Sequence, residues 1–126
     1  MEDILNATLA GGVIMGTPGD MIRNGCVSLV VGFCAGLISC TGFNKLTTYL
    51  SNIEFLHDTC GVLNLHFIPG LLGALVGAVL STIANEGDYS VELTAIWNKR
   101  YIINGVQNRD ATTQGAYQFY AVYLSI

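Results

Sequence analysis

The chain has 126 residues, of which 11% are charged and 52% hydrophobic, with a net charge of −4 and a mean hydropathy of +0.52. Ordinary soluble domains carry roughly 25% charged residues, so this balance indicates an integral membrane chain of at most one domain, with the lipid bilayer as its surroundings. Five Lys and Arg against nine Asp and Glu leave too little positive charge for a nucleic-acid footprint.

Met1-Glu2-Asp3 is acidic, unlike the basic start of a secretory signal. Residues 4–17 are apolar and small, too few for a membrane span of about 20 residues. They read either as a buried core helix or as the surviving part of a membrane helix, and Pro18-Gly19-Asp20 breaks the pattern. Between Arg23 and Lys45 lie 21 uncharged residues, and a membrane helix is predicted over 24–45. Residues 46–57 read as a short polar connection, with Leu46, Tyr49 and Leu50 suited to an interfacial helix. A further membrane helix is predicted over 59–84, where 27 residues from Thr59 to Asn85 carry no Asp, Glu, Lys or Arg. Pro69 inside it predicts a kink rather than an end, because neighbouring groups in a membrane bundle satisfy the freed carbonyl. Residues 85–114 are polar and read as a loop, with Ile96-Trp97 and Tyr101-Ile102-Ile103 suited to the headgroup level. A last apolar run over 115–126 is too short to span. The fold class is thus an all-α membrane protein: a partial polytopic bundle of about three membrane helices plus a truncated fourth, with the chain cut at both ends.

The pairs Gly12/Gly16, Gly32/Gly36 and Gly73/Gly77 follow a small-xxx-small spacing. In lipid such pairs let helix backbones approach closely, so close helix packing is predicted. The four cysteines, at 26, 34, 40 and 60, form no CxxC and no zinc spacing. Cys26, Cys34 and Cys40 read as small hydrophobes. No cofactor or metal is called for. No nucleophile, base and orienter recur at usable spacing, so an enzyme is not expected.

His66 lies inside the uncharged run, about 12 Å of helical rise beyond Asp58 and ~9 Å short of the run's centre near Leu72. An ionisable residue at membrane depth is a functional-site candidate. A neutral imidazole has one donating and one accepting nitrogen, which suits a small polar solute or a proton relay. The alternative is a structural histidine bonded to a neighbouring helix carbonyl. A haem ligand would need a second ligand, and none is evident at that depth. Asp58 and Thr59 read as the N-cap of the helix, and His57 as interfacial.

Two blocks carry a resemblance. One is Asn6-Ala7-Thr8-Leu9-Ala10-Gly11-Gly12-Val13 followed by Gly16-Thr17. The other is Asp58-Thr59-Cys60-Gly61-Val62, Asn64-Leu65-His66 and Pro69-Gly70. Between them, Gly32-Phe33 through Ser39, Gly42-Phe43 and Leu46-Thr47 continue the pattern. The chain resembles the Rh glycoprotein branch of the ammonium transporter (Amt/Rh) family, covering roughly the eighth to early eleventh membrane helices. That resemblance implies a trimer whose subunits each enclose a narrow hydrophobic pore, conducting ammonia after ammonium is deprotonated. It implies that His66 is the second of two paired pore histidines and that Asp58 holds the start of its helix, with Asn64 beside the pore residue. It also implies a plasma-membrane, multi-pass protein with 46–57 cytoplasmic and 85–114 outside, although Lys99, Arg100 and Arg109 run against the positive-inside pattern there. Phe67 stands where the family carries Gly, and Leu63 where it carries His or Asn.

Two functions follow as expectations. One is a fragment of an Rh-type ammonium/ammonia channel that contributes His66, is inactive alone, and works with other transmembrane chains or as a homotrimer. The other is a non-transporting structural membrane subunit within a larger complex.

Overall fold

The first helix, α1, runs over Glu2–Ile14, with Glu2 and Asp3 in its first turn where carboxylates complement the helix dipole. It ends ahead of the expected residue 17. The Met15 amide turns back onto the Gly12 carbonyl and the Gly16 amide onto the Val13 carbonyl, and Pro18 restricts the residue before it. The computed structural model describes residues 1–53, 58–84, 86–89, 95–97, 102–103, 106–107 and 110–126. The chain divides into two units, Met1–Ala74 and Leu75–Ile126, each described on its own terms.

In the first unit, α2 covers Gly25–Thr41, capped by the Asn24 side chain, which accepts the Cys26 amide at 2.9 Å. The helical run does not stop at 45. It passes through a wide π-turn over Gly42–Leu46 and continues as α3, Thr47–Leu50. Residues 46–50, expected to belong to a polar connection, extend the helix instead, and polar side chains along its end bond to its own carbonyls. The Thr41 hydroxyl donates to the Leu37 and Ile38 carbonyls, Asn44 Nδ2 to the Cys40 carbonyl, and the Thr48 hydroxyl to the Asn44 carbonyl. Such back-bonding satisfies a polar side chain without leaving the helix and tends to bend it. His57, expected at the interface, lies outside the described residues.

α1 and α2 pack antiparallel in close register. The Cys40 thiol donates to the Asp3 carbonyl at 3.5 Å. A Cβ on Gly36 would meet Ala7 Cβ at 3.4 Å, and one on Gly11 would meet the Gly32 carbonyl oxygen at 3.5 Å. The pairs 3/40, 7/36 and 11/32 thus step along the two helices together. Gly32 and Gly36 lie at this crossing as their spacing predicts, but they face Ala7 and Gly11 rather than Gly12 and Gly16. A Cβ on Gly12 would meet nothing within 4 Å. Ala10 and Ile14 are buried, whereas Leu29, Val30 and Phe33 face outward.

The third helix starts later than expected. Gly61, at φ 65°, turns the chain through a conformation that a side chain would resist. A π-turn over Leu63–Phe67 follows and leads into α4, Ile68–Ile83, which runs through Pro69 without ending. Pro69 lacks an amide and its ring crowds the carbonyl four residues back. The wide turn just before it relieves that crowding. Gly73 lies against the backbone of Ile14, so α4 approaches α1 at a point where neither contributes a side chain.

The second unit holds the end of α4, a short α5 over Glu86–Tyr89, a two-residue antiparallel pair (β1, Ile102–Ile103; β2, Val106–Gln107) and α6, Ala111–Ser125. The pair and α5 fall in the segment expected to be loop. α6 begins at 111 rather than 115 because Asp110 caps it, accepting the Thr113 amide at 3.0 Å. Buried Gly115 sits against the Thr82 side chain, letting α6 close on α4. Ala78, Ser81 and Ala84 are buried here, and the Ser81 hydroxyl donates to the Ala78 carbonyl at 2.7 Å.

Candidate functional site at the His66 turn

The site is built on the start of the third helix. The Asp58 carboxylate accepts the Val62 amide at 2.8 Å and the Leu63 amide at 3.0 Å. Those are two of the donors that a helix start leaves without partners. Asp58 therefore caps this end, as its position predicts, while Thr59 is exposed and makes no capping bond among the described residues.

Within the π-turn the side chains divide between two sides. Asn64 is fully buried, and Pro69 just beyond the turn is buried too. His66 is exposed, as is Phe67, at 51%. Among the described residues nothing hydrogen-bonds to the His66 ring, so its position is set by the backbone that carries it. A π-turn inserts one extra residue per turn, and such insertions occur frequently at functional sites. Here the insertion falls on Leu63-Asn64-Leu65-His66-Phe67 itself.

Sequence reasoning missed what lies behind the turn. Asn64 Nδ2 donates to the Thr47 hydroxyl at 2.7 Å. Asn64 Oδ1 presses on Gly42, where a Cβ would collide with it and would meet Cγ at 2.9 Å. The Phe43 ring covers Gly61, whose missing side chain makes the space. Gly42, Phe43 and Thr47 all come from the π-turn on the second helix or its cap. The resemblance marked these positions, but nothing in helical periodicity assigned them a role. Asp58, Asn64, His66 and Phe67 are thus gathered on one short stretch, and the structure adds a second set of residues from the opposite helix. Among the described residues no group of three or more metal-ligating side chains converges. The four cysteines are free.

Two helical runs, Gly25–Leu50 and Leu63–Ile83, are long and apolar enough to cross a bilayer, with mean hydropathies of 2.0 and 1.8. Only 17% and 28% of their apolar windows is buried within the chain, which sets them apart from core helices of a soluble protein. The whole chain, residues 1–126, matches the Ammonium Transporter Family. It is 45% identical over its full length to Ammonium transporter Rh type C of Xenopus laevis and 42% identical to that of Canis lupus familiaris. With Ammonium transporter Rh type B of Oryzias latipes it shares 44% identity over 94% of its length.

The chain belongs to the ammonium transporter family, on its Rh branch. It is an integral membrane protein of all-α class. The chain spans about a quarter of the length of the Rh relatives it matches, covering 26% of the Xenopus laevis protein and 25% of the Oryzias latipes one. The relatives are named as transporters.

Proposed function

We propose that this chain forms part of an Rh-type ammonium/ammonia pathway and that His66 lines it. One observation carries the proposal: the His66 ring stands on the open side of a π-turn whose other polar side chain, Asn64, is buried behind it. The ring offers a donor and an acceptor to a solute as small as ammonia. The apolar surroundings of the run from Thr59 to Asn85 make every alternative partner scarce. The Asp58 cap and the Asn64 anchor fix the backbone on which the ring rides. The remaining walls come from elements outside this sequence, in a multi-pass, plasma-membrane assembly of homotrimeric or mixed composition. Alone, the 126 residues do not conduct, because the two membrane-length helices among the described residues cannot surround a route.

A second reading, a structural membrane subunit without transport, is favoured by Phe67. This large ring is half exposed beside His66, where the Rh resemblance implies Gly. Labelled methylamine uptake by the complete gene product, compared with its His66→Ala variant, separates the two. The pathway reading expects uptake that is lost with the ring. A complex that assembles normally and shows no uptake before or after the substitution supports the structural reading.

A further inference from the structure

We propose that Gly42, Thr47 and Asn64 form a latch between the two π-turns and that Gly42 and Thr47 are positioning residues for His66. The proposal rests on the reading of His66 as a pathway residue. The first π-turn begins at Gly42 and is closed by the Thr47 amide, which donates to the Gly42 carbonyl. Asn64 touches both ends of that turn with a single amide group. Its nitrogen donates to the Thr47 hydroxyl at 2.7 Å, and its oxygen lies on Gly42 in the space a side chain would take.

Asn64 is itself the second residue of the other π-turn, two residues before His66. Each wide turn therefore holds the other. A wide turn has poorer packing than an α-turn and persists where its surroundings enforce it. Asn64 Oδ1 is buried and has no hydrogen-bond partner among the described residues. Buried acceptors usually have a partner. This one lies on Gly42, where any side chain would collide with it. Since nothing among the described residues bonds to the His66 ring, the latch acts through the backbone: it sets the angle at which the turn presents the ring.

The test uses the complete gene product in a host without ammonium uptake of its own. It reads methylamine uptake per surface copy, together with hydrogen exchange of the amides of residues 63–68. Thr47→Val keeps shape and removes the hydroxyl. It should lower maximal uptake about tenfold with little change in half-saturation, the size expected for a part-buried hydrogen bond lost with its buried partner left behind. Thr47→Ser should restore it, and exchange at 63–68 should rise in the valine variant alone. Gly42→Ala should be as harmful as Thr47→Val in the native chain and harmless in an Asn64→Ala background, where the colliding atoms are gone. The latch is overturned if Thr47→Val changes neither uptake nor exchange while His66→Ala abolishes uptake. It is also overturned if Gly42→Ala is equally harmful with and without Asn64. Uptake that survives His66→Ala overturns the pathway reading, and the positioning role with it.

Discussion

Replacing Gly73 with Ala places one methyl group where the chain has least room for it. The new Cβ would collide with the Ile14 carbonyl oxygen and come within 3.1 Å of its carbon and 3.2 Å of its Cα. All three are backbone atoms of α1, which cannot turn aside as a side chain can. The same change at Gly36 brings a Cβ to 3.4 Å from Ala7 Cβ and 3.5 Å from the Ala7 carbonyl oxygen, ordinary contact distances. Both variants gain the same helix propensity, about 1 kcal/mol for Ala over Gly, so that gain cancels in the comparison. What remains is overpacking at Gly73 alone, roughly 1–3 kcal/mol. Gly73→Ala should therefore be less stable than Gly36→Ala by that amount, with Gly12→Ala, whose Cβ meets nothing within 4 Å, close to Gly36→Ala. The assay is reversible detergent-induced unfolding in mixed micelles, followed by far-ultraviolet circular dichroism. Equal stabilities for the Gly73 and Gly36 variants, or the reverse order, would refute the packing of α4 on α1 described above.

Asp58→Ala removes the acceptor for two helix-start amides and should cost about 1–2 kcal/mol, with Asp58→Asn costing less because one oxygen still accepts; the same unfolding assay ranks the three proteins. Phe67→Gly should raise methylamine uptake per copy by clearing the ring beside His66, and should lower stability by about 0.5 kcal/mol through helix propensity; lower uptake at equal surface abundance would show that the ring does not obstruct. At Asp110, hydrogen bonds from the Thr113 side chain and then the Thr112 hydroxyl, with the Thr113 amide, hold the carboxyl at about 2, below its ordinary 3.8. The folded form thus keeps the charge to lower pH than the unfolded one, so the cap contributes fully above about 3.8 and is lost as pH falls from there towards 2. Protection of the amides at the start of α6, taken against their intrinsic exchange at each pH, should fall across that window in the native chain and show no such step in Asp110→Ala.

Much of the helical layout was legible in the sequence because charge is so unevenly spread. The uncharged runs before Lys45 and after Asp58 could hardly be anything but helices in lipid. Their ends were less legible. Thr48 falls in the expected polar connection, yet like Thr41 and Asn44 before it, it bonds back to its own helix, which runs on to Leu50. Gly61 gave no warning that it would delay the third helix, because its role depends on a positive φ and on the Phe43 ring above it. The small-xxx-small spacing named Gly32 and Gly36 but could not choose their partners, since Ala7 and Gly11 serve as well as two glycines. At the site, His66 and Asp58 stood out by charge and depth. Asn64 stood out only by its place in the Rh resemblance, and Gly42 and Thr47 drew no role at all. Their function exists only where two separate turns meet, and no period within one helix records such a meeting.

The most direct test of the account is methylamine uptake, normalised to surface copies, by the complete gene product with and without His66→Ala. A ring that lines the pathway predicts that uptake falls by at least about tenfold, the loss of one well-placed hydrogen-bonding partner or more, while assembly and surface abundance hold. Uptake that is unchanged by the substitution at equal abundance would contradict the claim that His66 lies on the route.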